Sequence, residues 1–375
     1  MNRTERWVAL DAVRGMTVAG MLLVNNPGTW SAVYPPLEHA PWHGWTPTDL
    51  IFPFFLFIVG ITTELSLARR ATLGATDAMI RRRIVIRGGL IVLCGLLLAA
   101  FPYLPITRIT TIRIPGVLQR IGVCYAASAL LAWRRPTRVL VAWSVGLMLG
   151  YWAVLTLVAA PGQAVATIDV PDATIAAFVD RWLLNGHLWA SSKTWDPEGP
   201  LSTVSAVATS LLGIIAGRWM RDPIPAPAKL NGLFGAAAIA TATGLCWGWV
   251  FPINKSLWTS SYVLFSAGMA GLVLGTATWL IESAGAEGWA RPFVTFGRNP
   301  LVAFLGSGLM ARTIGSLITV ESSGQRRSLQ QIIFERGFGS WLSPINASLA
   351  YALTFVAFWY LLLLWFDRRG WILKL

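Results

Sequence analysis

Long apolar segments recur along the whole of this 375-residue chain, and they constrain its fold more than any other feature. Hydrophobic residues make up 55% of the sequence and charged residues only 13%, which is far from the composition of a soluble domain. About twenty consecutive apolar residues are enough for a helix to cross a bilayer. The segments are continuous runs without the ten-residue alternation of a membrane barrel. The sequence therefore predicts an all-α polytopic membrane protein, with the lipid bilayer as a partner.

Ten segments have the length and composition of membrane spans, and together they predict a single transmembrane domain over residues 1–375. The predicted spans are 8–24, 47–68, 84–101, 117–133, 139–160, 204–220, 233–251, 258–281, 300–318 and 344–366. Tryptophans at span ends are typical of an interfacial belt. Those expected in the belt are Trp7, Trp133, Trp219, Trp258 and Trp365.

Positive charge is concentrated between alternate spans. Residues 69–87 hold six arginines, whereas residues 25–46 hold neither arginine nor lysine. Because cytoplasmic loops carry this excess, we expect both termini in the cytoplasm and residues 25–46 outside it. The same bias explains the net charge of +13, so nucleic acid is not an expected partner.

Two loops on the outer side are long, at 161–203 and 319–343. Long loops in compact proteins usually act as lids or binding elements. Residues 171–184 have the pattern of a short amphipathic helix near the membrane surface. The first residues lead into a span without a cleavage pattern, so no removable signal peptide is expected.

Two of the three histidines, His39 and His43, lie just before the second span. Histidine is the side chain best able to exchange a proton near neutral pH. Residues 46–49 predict a helix start with Thr46 as N-cap and Asp49 at the third helical position. Asp49 has two open roles, helix capping and orientation of a nearby imidazole. The residues alone leave either histidine as the base and supply too few ligands to predict a metal site.

The first span carries polar groups near both ends. Asp11 and Arg14 lie three residues apart. Either they form an ion pair within the helix, or Arg14 is a cation beside an anionic ligand from the cytosol. At the other end, Asn25 either terminates the helix or faces the same cavity as His39. These alternatives stay open at the level of sequence.

Further polar residues fall at the outer ends of predicted helices. They are Arg113, Arg120, Asp196, Glu198, Asn254, Lys255 and Trp258. Together with His43 they predict a polar, aromatic-rich vestibule that would bind a sugar or another hydroxylated ligand. A transporter for a small polar solute is the alternative, and a membrane scaffold that only binds comes third. A transporter usually has polar groups through the midplane of its spans. Here the strongest polar motifs lie at one face, which favours an enzyme.

Six motifs in this order resemble the heparan-α-glucosaminide N-acetyltransferase family over nearly the whole chain. They occupy residues 10–15, 24–28, 39–53, 115–120, 196–199 and 254–258. The chain looks like a bacterial relative that lacks the large lumenal domain and leading span of the lysosomal enzyme. The resemblance implies location in the inner membrane, and it also implies a homodimer.

The resemblance further implies transfer of an acetyl group from cytosolic acetyl-CoA to an amino sugar or glycan on the far side, with no metal. The family's active-site histidine falls on His39 and its essential asparagine on Asn25, while position 43 is asparagine in the lysosomal enzyme. We expect His39 to act as general base, with Asp49 beside it, and Asn25 to donate to the thioester oxygen. An acetyl-histidine intermediate is the alternative to direct transfer.

Overall fold

The computed structural model describes residues 7–102, 110–322 and 325–373, and its architecture is almost entirely helical. The helices are α1 (Val8–Asn25), α2 (Pro47–Thr72), α3 (Asp77–Ala100), α4 (Val117–Ala132), α5 (Thr137–Leu157), α6 (Ile175–Leu184), α7 (Pro200–Arg221), α8 (Ala226–Trp247), α9 (Ser260–Thr278), α10 (Arg291–Arg298), α11 (Pro300–Arg312), α12 (Leu329–Phe334) and α13 (Pro344–Arg368). Residues 1–6, on which the prediction about a signal peptide depends, lie outside the described ranges. So do residues 103–109 of the third loop.

Nine helices within the described ranges are long and apolar enough to cross a membrane, and α4 is a tenth apolar helix of 16 residues. All ten predicted spans coincide with one of these helices, which confirms an all-α polytopic membrane protein. The largest differences are at the starts of α8, which begins at Ala226 and not near residue 233, and of α3, which begins at Asp77 and not near residue 84. Helix α3 begins earlier because the Thr76 side chain accepts a hydrogen bond from the backbone N–H of Met79 and caps the helix.

The two long loops are structured. Helix α6 confirms the short amphipathic helix, although the first residues of that segment form a 3₁₀ turn at Pro171–Ala173. The second loop contains an antiparallel hairpin of β1 (Thr319–Ser322) and β2 (Gln325–Ser328), followed by α12. This hairpin departs from the purely helical prediction.

Helix α2 is central to the bundle, because it packs against α1, α7 and α9. Its crossing with α7 depends on glycine. A Cβ atom added at Gly213 would lie 2.0 Å from the carbonyl oxygen of Phe57, and one added at Gly60 would lie 2.1 Å from that of Ser210. Small residues allow two backbones to approach this closely. The crossing therefore fixes α2, which carries Asp49 at its start.

The predicted tryptophan belt is wrong for two members. Trp258 is 0% exposed and donates its indole N–H to Thr209 Oγ1 at 3.1 Å. Trp7 is also buried and donates to Thr278 Oγ1. Each indole N–H has a hydroxyl acceptor inside the bundle, so neither ring has to lie at the interface to be hydrogen-bonded. Trp219 keeps an exposed ring, as a belt requires.

Candidate active site

Asp49 connects the start of α2 to His39. Its Oδ2 accepts hydrogen bonds from the backbone N–H groups of Thr46 and Ala40, both at 3.0 Å, and completes the predicted capping box. Its Oδ1 lies 2.7 Å from His39 Nδ1. Asp49 is 1% exposed, whereas the His39 side chain is 49% exposed. The carboxylate therefore performs both of the roles that the sequence left open.

This contact selects a tautomer of His39. An ionised carboxylate only accepts hydrogen bonds, so Nδ1 of His39 carries the proton and Nε2 keeps a free lone pair. The ring is oriented from behind by Asp49 and reaches solvent in front. Such a ring can accept a proton from a ligand at Nε2.

Lys255 approaches the same imidazole from another part of the chain. Its Nζ lies 3.1 Å from His39 Nε2 and 3.3 Å from Nδ1. Burial lowers the pKa of the Lys255 ammonium, and the neighbouring carboxylates Glu198 and Asp49 offset part of this effect. The structure thus brings His39, Asp49 and Lys255 together, although 216 positions separate His39 from Lys255.

His43 has both ring nitrogens occupied. Nε2 lies 3.0 Å from Asp169 Oδ1, and Nδ1 lies 3.3 Å from Asn254 Nδ2. Since the amide N–H of Asn254 donates to Nδ1, Nε2 donates to Asp169. Asp169 was not predicted, because nothing in its own segment distinguishes it from an ordinary loop aspartate. Nε2 of His39, in contrast, has no carboxylate or amide partner among the described residues, and Lys255 Nζ is its polar neighbour.

The acidic residues after α6 form a buried ion-pair network. Arg113 holds Asp196 through Nε–Oδ2 and Nη2–Oδ1 contacts of 2.8 and 2.5 Å, and it also hydrogen-bonds Glu198. Burial raises the pKa of Glu198, but Arg113 and other cations outweigh this and lower that pKa below its ordinary value. Asp180 Oδ2 accepts from the Asp196 N–H at 2.9 Å.

Arg120 supports the Lys255 segment from inside the bundle. Its Nη2 donates to Ser202 Oγ at 2.5 Å, and its guanidinium lies 4.9 Å from the ring centre of Trp258. Arg113, Arg120, Asp196, Glu198 and Trp258 are therefore the supporting wall of the site. Arg120, Asp196, Glu198 and Trp258 are buried within this wall, whereas Arg113 is partly exposed. That these five residues bind a ligand stays a prediction.

At the far end of the bundle, Asp11 and Arg14 form the ion pair at 2.5 Å, and Arg14 also donates to the carbonyl oxygen of Gly297 at 2.8 Å. Arg14 additionally lines a large cavity, and its interpretation as a cation beside an anionic ligand stays a prediction. Asn25 is exposed at the last position of α1. Within the described residues no hydrogen bond joins it to His39.

The cavity has a volume of about 640 Å³ and is strongly basic at one end. The arginines that line it are Arg14, Arg69, Arg70, Arg83, Arg87 and Arg298. No carboxylate is among its described lining residues, and apolar side chains such as Met21 and Leu118 form the other end. In the sequence, most of these arginines indicate only the orientation of the spans. Their clustering around a cavity appears only in the folded bundle, because they come from α1, α2, α3 and α10.

Comparison with known proteins gives one consistent relationship. The sequence profile described as heparan-alpha-glucosaminide N-acetyltransferase, catalytic, matches residues 6–177. The heparan-alpha-glucosaminide N-acetyltransferase of Mus musculus is 26% identical in an alignment of 357 positions, and the match covers 81% of this chain and 54% of that protein. The protein of the same name from Homo sapiens is 27% identical in an alignment of 351 positions, and the match covers 80% of this chain and 52% of that protein.

The chain thus spans about half the length of the curated relatives that it matches. The profile match contains Asn25, His39 and Asp49, and the two pairwise matches extend over most of the chain. Together with the membrane helices, these similarities agree with the motifs seen in the sequence. In sequence, the chain is similar to the heparan-alpha-glucosaminide N-acetyltransferases.

Proposed function

We propose that this protein is a membrane-integral acetyltransferase that moves an acetyl group from acetyl-CoA to the amine of an amino sugar, with His39 as general base. The main support is the 2.7 Å contact between Asp49 Oδ1 and His39 Nδ1, which orients the ring and leaves Nε2 free of the carboxylate. The names of both relatives, which describe N-acetyl transfer to a glucosaminide, support the reaction class. Neither name identifies the glycan to which the amino sugar of this protein belongs.

The basic cavity supports a CoA donor. CoA is a polyanion with an extended, largely uncharged arm, and arginine is the residue best suited to phosphate groups. Arg14 and Arg298 have carboxylate partners in Asp11 and Asp367. The other four lining arginines form no ion pair with a described residue, which leaves their charge for a ligand. We assign the phosphates to this end and the arm to the apolar end.

The direction of the arm follows from α1. Arg14, Val18 and Met21 line the cavity at helical spacing, and Asn25 lies one turn farther on the same face. An arm that follows this face leads from the arginines toward Asn25. Asn25 is then placed to hold the thioester carbonyl at the end of the arm.

The arginine end faces the cytoplasm in this proposal, and the His39 end faces the opposite side. The loop charges support this orientation, since positive residues favour the cytoplasmic side. CoA is confined to the cytoplasm, so the orientation also places the donor where it is made. The acceptor amine would approach His39 from the other face, next to His43.

In the chemical step, His39 Nε2 removes a proton from the acceptor ammonium or amine as nitrogen attacks the thioester carbon. Asp49 stabilises the resulting imidazolium through Nδ1. We favour direct transfer over an acetyl-histidine, because the base is oriented for proton removal and a single attack suffices. Labelled acetyl-CoA without acceptor should then leave no acetyl group on the protein.

The test uses the full-length protein in lipid nanodiscs with radiolabelled acetyl-CoA and glucosamine. We expect His39→Ala to lower kcat by about 10²–10⁴-fold while the Kd for acetyl-CoA is unchanged. His187→Gln is the matched control, since it removes the third histidine and should keep full activity. Undiminished transfer by His39→Ala would refute the base, and failure of the unaltered protein to bind acetyl-CoA would refute the donor.

A further inference from the structure

The position of Lys255 relative to the His39 ring is unusual for a simple hydrogen bond. Its Nζ lies at nearly the same distance from both ring nitrogens, 3.1 Å from Nε2 and 3.3 Å from Nδ1. A donor in line with the lone pair of Nε2 would lie much farther from Nδ1, which is across the ring. The ammonium is therefore beside the imidazole and leaves the Nε2 lone pair open.

A short, rigid turn holds Lys255 there. Asn254 is fully buried, accepts from the N–H of Leu257 at 2.8 Å and donates its own N–H to Thr259 Oγ1 at 3.0 Å. Trp258 has a φ of +52°, which residues other than glycine seldom adopt. Its backbone N–H donates to the carbonyl oxygen of Lys255. Strained conformations of this kind occur mostly where function requires a fixed geometry.

The charge of Lys255 is not neutralised by a direct partner. Within the described residues, no carboxylate lies within ion-pair distance of its Nζ. Asp49 is engaged with His39, and Glu198 is engaged with Arg113. Both carboxylates act on Lys255 only through space. A partly desolvated cation without a direct partner attracts a developing negative charge strongly.

We propose that Lys255 stabilises the oxyanion that forms on the acetyl carbonyl during transfer. This inference rests on the proposed function. The acceptor nitrogen forms a bond to the carbonyl carbon, its proton passes to His39 Nε2, and the carbonyl π electrons move to oxygen, which accepts a hydrogen bond from Lys255 Nζ. When the oxyanion collapses, the C–S bond breaks, and the CoA thiolate leaves and takes the proton from His39.

The proposal explains why base and cation are adjacent. A reacting carbonyl must be close to both the nucleophile, which contacts His39, and the donor that receives its negative charge. A separation of 3.1 Å between Nε2 and Nζ permits one acetyl group to contact both. Asn25 then holds the planar thioester before attack, and Lys255 acts on the tetrahedral species that follows.

The experiment compares Lys255→Met and Lys255→Arg with the unaltered full-length protein in nanodiscs, using acetyl-CoA and glucosamine. Lys193→Met is the control, because it removes an exposed lysine from the outer loop. We expect Lys255→Met to lower kcat by about 10²–10³-fold with little change in KM. Lys255→Arg keeps the charge and should recover part of kcat, and the Tm of each variant reports folding independently.

Two inhibitors separate the oxyanion role from simple binding. One joins CoA to glucosamine through a tetrahedral phosphonamidate, and the other joins them through a planar amide. Lys255→Met should weaken the tetrahedral compound by about the factor lost in kcat and leave the planar compound nearly unaffected. Equal weakening of both compounds, or an unchanged kcat, would overturn the role of Lys255. If the unaltered protein transfers no acetyl group, the proposed function itself fails.

Discussion

Asp49 holds His39 with one carboxylate oxygen and closes the first turn of α2 with the other. The imidazole is therefore fixed to a deeply packed helix of the bundle, although it lies in an exposed loop. The phenol of Tyr262 adds a further restraint, because it donates to the carbonyl oxygen of Asp49 at 2.5 Å. Orientation of the base and the start of a membrane helix depend on the same side chain.

The two functions of Asp49 can be separated by substitution. Asp49→Asn keeps one oxygen for the N–H groups of Thr46 and Ala40 and turns its amide toward His39, which forces the proton of the ring onto Nε2. We expect kcat to fall by about 10–100-fold or more with a nearly unchanged Tm. Asp49→Ala should lose the same activity and also about 1 kcal/mol of helix capping. Equal kcat for Asp49→Asn and the unaltered protein would contradict the orienting role.

The sequence predicts elements that depend on neighbours along the chain. Thr46 and Asp49 form a capping box because their spacing alone determines it, and the ten spans follow from local hydropathy. The contact between Lys255 and His39 joins residues 216 positions apart, and no local pattern predicts which lysine meets which histidine. The burial of Trp258 is likewise set by Thr209 and Arg120, which come from two other helices.

The cavity arginines should distinguish the phosphates of the donor. Arg83 and Arg87 lie on α3 and line the cavity, whereas the adjacent Arg82 does not. We expect Arg83→Gln and Arg87→Gln each to weaken CoA binding by about tenfold, the loss of one hydrogen bond to a charged group, and to leave binding of acetylpantetheine unchanged. Arg82→Gln is the control, measured by the same titration calorimetry. Equal weakening for both ligands would rule out phosphate contacts.

The buried network around Arg113 should make a large contribution to stability. Arg113→Met leaves the carboxylates of Asp196 and Glu198 buried without their partner, which costs about 3–5 kcal/mol. The exposed pair of Arg327 and Glu335 offers a control, since Arg327→Met should cost less than about 1 kcal/mol. Thermal unfolding monitored by tryptophan fluorescence compares the two variants. A similar loss in both would show that burial does not set the effect.

Asp180 predicts a pH dependence of stability. Burial raises the pKa of its carboxyl from 3.8 to about 7, and the hydrogen bond from the Asp196 N–H offsets only part of this rise. At a pH between these two values, the folded protein holds a proton that the unfolded chain has released. The free energy of unfolding therefore falls as pH rises, by at most about 1.4 kcal/mol per pH unit. Asp180→Asn should remove this contribution to the slope between about pH 4.5 and 7. Parallel Tm profiles for both proteins would argue against a protonated Asp180.

The crossing of α2 and α7 should tolerate no added side-chain atom. Gly213→Ala places a methyl group 2.0 Å from the carbonyl oxygen of Phe57, and both helices must separate to accommodate it. We expect a loss of about 1–3 kcal/mol, as for other overpacked sites. Gly146→Ala is the control, since an added Cβ there meets no atom within 4 Å. The measurement is the Tm in the same nanodiscs, and equal values for both variants would contradict a close crossing.

Helix α2 carries Asp49 in its first turn and Arg69 in its last, twenty residues apart, which is about 30 Å along the axis. Under the proposed function, one continuous helix sets the separation between the phosphates of the carrier and the carbonyl that it delivers. The protein then acts as a molecular ruler: an acyl carrier with a shorter or longer arm would present its thioester out of register with His39, whatever the chemistry of its acyl group.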